Sequence, residues 1–321
     1  MYSVPSIEER VDYYLSPALL KLRRVKEKLP PIKYSCPESK RELFFDLKWQ
    51  WGKHGESSYN TYIRPAIKRF NELNLDALRI PIIVGDVADS GSNFLYSKSR
   101  LQDNNSTYTL LKCLEEKRHW GSSSSVSSTA SATRDILRYS DKRPIAVFRG
   151  ATSGGMHGWD LRPANRYKLV ERYFNCKNPN VDVGFSVFGQ GNDNIYNKYR
   201  KDAMTIPQQL EYKYIISVEG NDKDSGLQWK LKSNSLVLMA RPRISSWLME
   251  STLIPNYHYI ELRDDFEDLE EKIEWCNKNY EECIQIIINA SDYMNQFNNI
   301  TQERDIEKKV IEKHASSVYY I

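Results

Sequence analysis

The sequence predicts an α/β protein of two domains, the second built on a parallel, doubly wound sheet. Three observations predict it. The chain has 321 residues, more than one compact domain of about 100–150 residues usually takes. Short apolar, β-branched runs alternate with segments of helical spacing over roughly the last half of the chain, the pattern of strands joined by helical crossovers. No internal repeat is visible, which sets aside solenoids and propellers.

In chain order, residues 11–29 read as one basic amphipathic helix. Leu15, Leu19, Leu22 and Leu29 lie among Lys21, Arg23, Arg24, Lys26 and Lys28, and Pro30-Pro31 stops it. Such a helix either leans on an anionic lipid surface or packs one face on a core and solvates the other. Residues 43–71 read as helical, with Phe44, Phe45, Leu47, Trp49 and Trp51 near the start. Residues 77–84 form an apolar run ending at Gly85-Asp86, a strand that presents a carboxylate at its C-terminal edge. Residues 88–107 are polar and read as loop, as does the Ser-rich stretch 121–131; helical spacing resumes at 134–138.

The second half gives strands at 144–148, 181–185, 214–218, 235–239 and 257–262. Helices are predicted at 165–174 and 226–233. A long one runs over 266–297, where Phe266, Leu269, Ile273, Cys276, Tyr280, Cys283, Ile284, Ile287 and Ile288 recur at three- and four-residue spacing.

Composition excludes several classes. Hydrophobic residues make up 40% and charged residues 27%, so a packed core is expected and wholesale disorder is not. No apolar run approaches the roughly 20 residues of a spanning helix, and no basic-then-apolar leader opens the sequence. Five cysteines are scattered without a CxxC pair, the pattern of reduced thiols rather than a zinc ribbon or a disulfide framework. Net charge is +4, with lysines and arginines interleaved with acids, which argues against nucleic-acid binding.

Three places could carry chemistry. Phe148-Arg149-Gly150-Ala151-Thr152-Ser153 is a strand running into a Gly-rich loop. An Arg beside close backbone N–H groups suits a phosphate, and Gly150, Thr152 and Ser153 would line it; the alternative is a surface loop with a structural Arg. Neither a dinucleotide fingerprint nor a P-loop is present. Val218-Glu219-Gly220-Asn221-Asp222 leads through Asp224 and Gly226 into a helix start. Glu219 and Asp222 could take hydroxyl hydrogen bonds, and Lys223 and Lys230 could offset diphosphate charge; the alternative is an ordinary helix capped by Asp222 or Asp224. Asp86 is the third, read as a base or as a turn residue, with Asp89 next in line.

The order of motifs carries a resemblance. Phe148-Arg149-Gly150, Asn165-Arg166 before Leu169-Val170, Asp182-Val183-Gly184-Phe185, Tyr212-Lys213-Tyr214, Glu219-Gly220-Asn221-Asp222, Leu227-Gln228-Trp229 and Ser233-Asn234-Ser235 follow one another. Trp247, Glu250, the run Leu253-Ile254-Pro255-Asn256-Tyr257-His258-Tyr259, Asp264-Asp265-Phe266 and Asp268-Leu269 continue the series. Together they resemble glycosyltransferase family 90 over residues 75–300. The likeness is greatest to its bacterial lipopolysaccharide-core members of the LpsA type. Protein O-glucosyltransferases and capsule-associated xylosyltransferases are similar at a greater distance.

That resemblance implies a GT-B fold, two Rossmann-like domains with a cleft between them. It divides the chain into an acceptor-side domain at 1–140 with the base, a nucleotide-sugar domain at 141–300 and a helical tail at 301–321. It implies an inverting transfer of a hexose, glucose or galactose, from a UDP-sugar to a lipooligosaccharide-core hydroxyl, without a bound metal. Asp86 would be the catalytic base. Arg149, Gly150, Thr152, Ser153, Glu219, Gly220, Asn221, Asp222, Gly226 and Lys230 would bind the donor. In the eukaryotic members an Arg that contacts the diphosphate stands where this sequence has Gly226, so that contact is expected from elsewhere: Lys230, Gln228 or main-chain N–H groups. Location is expected to be cytoplasmic, peripheral on the inner membrane. A capsule or other surface-glycan transferase is the alternative enzyme, and a non-catalytic glycan-binding protein the alternative class.

Overall fold

The computed structural model describes residues 2–25, 32–34, 44–45, 64–73, 80–83, 85–86, 90–91, 94–114, 135–154, 163–189 and 193–320. The chain divides into two compact units: residues 1–123 with 244–249 and 299–321, and residues 124–243 with 250–298.

In the first unit, the helix Ile7–Tyr14 starts at a capping box, with Ser6 Oγ accepting from the Glu9 N–H and Glu9 Oε2 accepting from the Ser6 N–H. It packs against the helix Ile300–Ala315, so the C-terminal segment belongs to this unit's body. Arg10 donates to Glu303 at 2.5 Å in a buried ion pair. Trp247 Nε1 and Lys112 Nζ donate to the other oxygen of the same carboxylate. The Tyr14 ring stacks on Trp247 at 3.7 Å between centroids. Three distant stretches of sequence are thereby tied to one buried carboxylate, whose cost of burial is offset by several charged or N–H donors.

The sequence expectation of one helix over 11–29 is corrected. A second helix, Pro17–Val25, begins after a break at Leu15-Ser16. Ser16 Oγ accepts from the Leu19 N–H and donates to the Ser106 carbonyl, and Pro17 suits a first helical position. Leu15 and Leu19 are fully buried in the core, so this part of the apolar stripe is covered by protein; residues 26–29 lie outside the described residues. Phe44–Phe45 is a strand paired with Ile80–Pro81, not a helix start. The polar stretch 88–107 is not all loop. Tyr96–Ser97 pairs in parallel with Thr109–Leu110, Ser99–Leu101 pairs with Ile244–Ser246, and Ile82 bridges to Tyr96.

The second unit contains a five-stranded, all-parallel sheet. Its strands are β1 Arg143–Ala151, β2 Val181–Val187, β3 Tyr212–Ile216, β4 Leu236–Ala240 and β5 Ile260–Leu262. Their spatial order is β5-β4-β3-β1-β2. Side chains alternate between the faces. Ala146, Phe148, Tyr214 and Ile216 pack with helices Arg166–Tyr173, Leu269–Lys278 and Tyr280–Asn295. Val147 and Ile215 pack on the other face with Leu210, Ile206 and Trp229. Both faces are covered, which explains the near-continuous apolar runs. The long helix expected over 266–297 is two helices broken at Asn279, whose backbone lies at φ −121°, ψ 63°. The helical spacing at 134–138 is not realised: residues 135–138 are irregular and lead into a 3-10 turn, Tyr139–Asp141.

Candidate functional site

Strand order reverses direction at β1: the chain steps from β1 out to β2, then returns to β3 on the other side. Crevices at the carboxyl ends of strands flanking such a switch point are where open α/β sheets bind ligands. The two loops there are stitched together. The Gly154 N–H donates to Asn221 Oδ1 at 3.0 Å. Arg166, first residue of its helix after the Asn165 cap, donates from Nη1 to Ser153 Oγ at 2.8 Å and to the Ala151 carbonyl, and from Nε to the Val218 carbonyl. Thr152 is buried, with its N–H on the Val187 carbonyl. Gly220 lies so close to Arg166 that a Cβ there would meet Nη2 at 2.8 Å.

Beyond β3, Asp224 organises the turn. Its Oδ2 accepts from Lys230 Nζ and Ser217 Oγ, both at 2.5 Å, and its Oδ1 accepts from the Gly226 N–H at 2.9 Å. Burial pushes the Asp224 carboxyl up, but the charge and hydrogen bond of Lys230 outweigh it and hold it down at about 2. Neither capping reading is realised: the helix that follows has Gly226 as its N-cap without a side-chain cap, and Asp224 closes the turn before it. Lys230 also donates to the Ile216 carbonyl, so its ammonium supports the turn from within. Gly226 opens the helix Leu227–Leu231, with Trp229 packed where a Cβ would lie. Gly150 lies within β1, against the Phe148 ring.

An open pocket sits at the carboxyl ends of β3 and β4. Ser217, Val218 and Glu219 from the first, and Met239, Ala240, Arg241, Pro242 and Arg243 from the second, line it. Lys223, Asp224, Leu227, Ala164, Glu250 and Phe266 complete the lining. Glu219 Oε1 accepts from the Arg243 N–H at 2.9 Å, tying the two strand ends together. Acids, cations and an apolar wall in one concavity suit a charged, hydroxylated ligand with a flat apolar part.

Arg149 does not join this pocket. Its Nη2 donates to Asp182 Oδ2 at 2.7 Å, its Nη1 to the carbonyls of Phe148 and Asp182, and its Nε to the Asp202 carbonyl. Every nitrogen of the guanidinium is spent on the protein's own oxygens, which is the structural alternative stated for it above. Burial raises the Asp182 carboxyl, but hydrogen bonds and charge from Arg149 and Lys201 outweigh it and keep it below the ordinary carboxylate range. Of the predicted donor-site residues, Glu219 lines this pocket; Ser153, Gly220 and Asn221 meet at the two stitched loops through Arg166 and Gly154; Arg149 and Lys230 are bonded to the protein's own oxygens. Sequence reasoning missed Arg241 and Arg243. Their signal was present: Arg241-Pro242-Arg243 directly follows an apolar strand, the same edge logic that singled out Asp86.

Asp86 lies in the first unit, just beyond the bridge between Ile82 and Tyr96 and after Gly85 at φ +98°. Its Oδ1 accepts from Lys98 Nζ at 2.7 Å; the lysine is buried and the carboxylate about one-third exposed. Lys98 fixes the orientation of a carboxylate that solvent still reaches. Asp89 lies outside the described residues.

Comparison with known proteins fits this geometry. The sequence model described as Glycosyl transferase family 90 matches residues 117–316. The chain is 31% identical over 293 residues to a protein named O-glucosyltransferase LpsA from Dichelobacter nodosus, covering 91% of this chain and 77% of that one. It is also 30% identical over 176 residues to uncharacterized protein 035R of Invertebrate iridescent virus 3, covering 49% of this chain and 15% of the viral one. A segment of uncharacterized protein 027R of Frog virus 3 is 29% identical over 179 residues, 46% of this chain and 17% of that protein. With more than half of the chain matched by the family and nearly all of it aligned to an LpsA glucosyltransferase, the chain belongs to glycosyl transferase family 90 and is a glycosyltransferase.

Proposed function

We propose that this glycosyltransferase moves a hexose from a UDP-sugar to a hydroxyl of a lipopolysaccharide or lipooligosaccharide core, with inversion at the anomeric carbon. The pocket at the carboxyl ends of β3 and β4, next to the switch point, carries the reading, because it offers both anion-binding and hydroxyl-binding groups where such a sheet takes nucleotides. The LpsA relative, named an O-glucosyltransferase, favours glucose as the hexose. The GT-B class is part of the proposal, supported by the parallel β5-β4-β3-β1-β2 sheet of the second unit.

In this reading Asp86 takes the proton of the acceptor hydroxyl as its oxygen attacks C1, and Lys98 holds the carboxylate in place. The turn at 219–226 and the Ser153 loop hold the donor. The leaving nucleoside diphosphate is stabilised by N–H donors and fixed cations on its side of the reaction. No metal is invoked: in the Asp222-Lys223-Asp224 sequence, Asp224 is already paired with Lys230, and EDTA is expected to leave turnover unchanged. Among the described residues no helix is long and apolar enough to cross a membrane. Action on the cytoplasmic face of the inner membrane, with an anionic lipid surface as partner, belongs to the same proposal.

A donor screen tests it. UDP-glucose, UDP-galactose, UDP-xylose and UDP-N-acetylglucosamine are incubated with truncated lipooligosaccharide, and the product is read by mass spectrometry and NMR. A hexose added in β linkage supports the reading. Transfer only to a capsule-type glycan moves the acceptor, and donor binding without transfer to any glycan defeats the enzymatic reading.

A further inference from the structure

We propose that Arg243 is the residue that grips the diphosphate of the donor, a role that sequence reasoning gave to Arg149; this rests on the nucleotide-sugar reading of the same pocket. Arg149 has no nitrogen to spare. Arg243 is differently placed. It lines the pocket at the end of β4, and about two-fifths of its side chain is exposed. Asp264 accepts from its Nη2 at 2.7 Å, which orients the guanidinium from one side. Its Nε is enclosed by protein and meets no acceptor. A guanidinium presents five N–H donors in a fixed fork. Here one nitrogen is tied to a carboxylate and one is enclosed, and the exposed end of the fork is left for a ligand.

The chemistry that fits this fork is a phosphate or diphosphate. An arginine pre-oriented by a carboxylate loses little freedom on binding, and its planar donors match adjacent phosphate oxygens. Arg241, on the same loop, donates from Nε to Glu261 and is largely exposed, which suits it less well to a fixed contact.

The main chain and the side chain of Arg243 have separable tasks. The N–H of Arg243 is held by Glu219 Oε1, and that bond survives truncation of the side chain. Loss of the guanidinium should therefore leave the loop between β4 and the crossover in place. It should remove affinity only for ligands that carry phosphate.

The experiment is calorimetric titration of the full chain with UDP, uridine and inorganic pyrophosphate. The variants are wild type, Arg243→Ala, Arg243→Gln and Asp264→Asn, each checked for folding by circular dichroism. The expected result is a ten- to hundredfold loss of UDP affinity in both Arg243 variants, as for removal of one charge-assisted contact. Uridine affinity should change less than twofold, and pyrophosphate binding should be lost. Asp264→Asn, acting only through orientation, should lose about three- to tenfold for UDP. Equal losses for UDP and uridine would overturn the proposal, since they would mean a disturbed loop. So would wild-type UDP affinity in the Arg243 variants. If Arg243→Ala does not fold, Arg243→Gln, which keeps most of the side chain's volume, carries the test. Should the wild type prefer ADP or GDP to UDP, the uridine reading fails, while Arg243 is judged by the same comparison with that nucleotide and its nucleoside. A wild type that binds no nucleoside diphosphate overturns both.

Discussion

Gly154 and Gly220 meet backbone to backbone: a Cβ built on Gly154 would lie 2.3 Å from the Gly220 carbonyl oxygen. Gly154 also sits at φ +75°, where an L side chain is strained. The two loops of the switch point can close on each other only because Gly154 carries no side chain. Gly154→Ala should therefore cost at least about 1–3 kcal/mol from conformation alone, and should weaken UDP binding as Asn221 loses the Gly154 N–H. Thermal melting and calorimetry check this together; an alanine variant with unchanged melting and affinity would show that the loops need not touch.

Arg149→Ala tests the structural role of that residue. The side chain makes four hydrogen bonds, one of them to the Asp182 carboxylate. Removing a hydrogen-bonded charge of this kind costs roughly 2–3 kcal/mol. Lys201 still pairs with Asp182 at 2.7 Å in the variant, which keeps the loss from being larger. Melting temperature should fall, and UDP affinity of the folded variant should stay within about twofold of wild type. A tenfold weaker affinity at unchanged stability would return the diphosphate to Arg149.

These cases show where the sequence was legible and where it was not. The strands of the second unit were readable because their apolar runs are continuous, as burial on both faces demands. The stretch 96–110 was not, because most of its buried residues are polar. Ser97, Lys98, Ser99, Arg100, Ser106 and Thr109 are all buried, and Arg100 answers with hydrogen bonds to the carbonyls of Tyr13, Tyr14, Leu15 and Tyr108. Composition reads such a segment as loop; only the partners, distant in sequence, reveal it as core. The helix break at Asn279 was hidden for the opposite reason, since apolar spacing continues across it from Cys276 to Cys283. In the candidate site, glycine and small polar turns pointed to the strand ends where the two loops meet. Which cation faces the pocket depended on carboxylate partners such as Asp182, Asp224 and Asp264, and spacing does not carry that.

Acid stability of the first unit should depend on His314. The ring is fully buried, its Nδ1 2.8 Å from Thr109 Oγ1 and its face against Tyr96. Burial pulls its pKa down from 6.5 to about 3. The unfolded chain takes up this proton near pH 6.5 and the folded one does not, so the contribution is fully present above that pH. It is lost as pH falls from 6.5 towards 3. Within that window one proton is worth about 1.4 kcal/mol per pH unit. His258, also pulled down by burial, acts in the same direction, so the informative quantity is a difference. Urea unfolding at several pH values should show a shallower acid loss for His314→Gln than for wild type, by about one proton. Parallel curves would mean that His314 is protonated in the folded protein.

Asp86→Asn addresses the proposed chemistry. The amide keeps the size of the carboxylate and an oxygen for Lys98, but cannot take up the acceptor's proton. It also removes the negative charge facing a buried ammonium, so a stability loss of about 1 kcal/mol is expected beside the catalytic effect. Turnover with UDP-hexose and a core acceptor should fall by roughly 10²–10⁴, the usual worth of a general base. UDP affinity should be unchanged, because the base acts on the acceptor rather than the donor. Lys98→Met separates the two effects. It leaves the carboxylate but removes what orients it, so turnover should fall less than in Asp86→Asn. Near-normal turnover in Asp86→Asn, with UDP binding intact, would remove Asp86 from the reaction and make Asp89 the next carboxylate to replace.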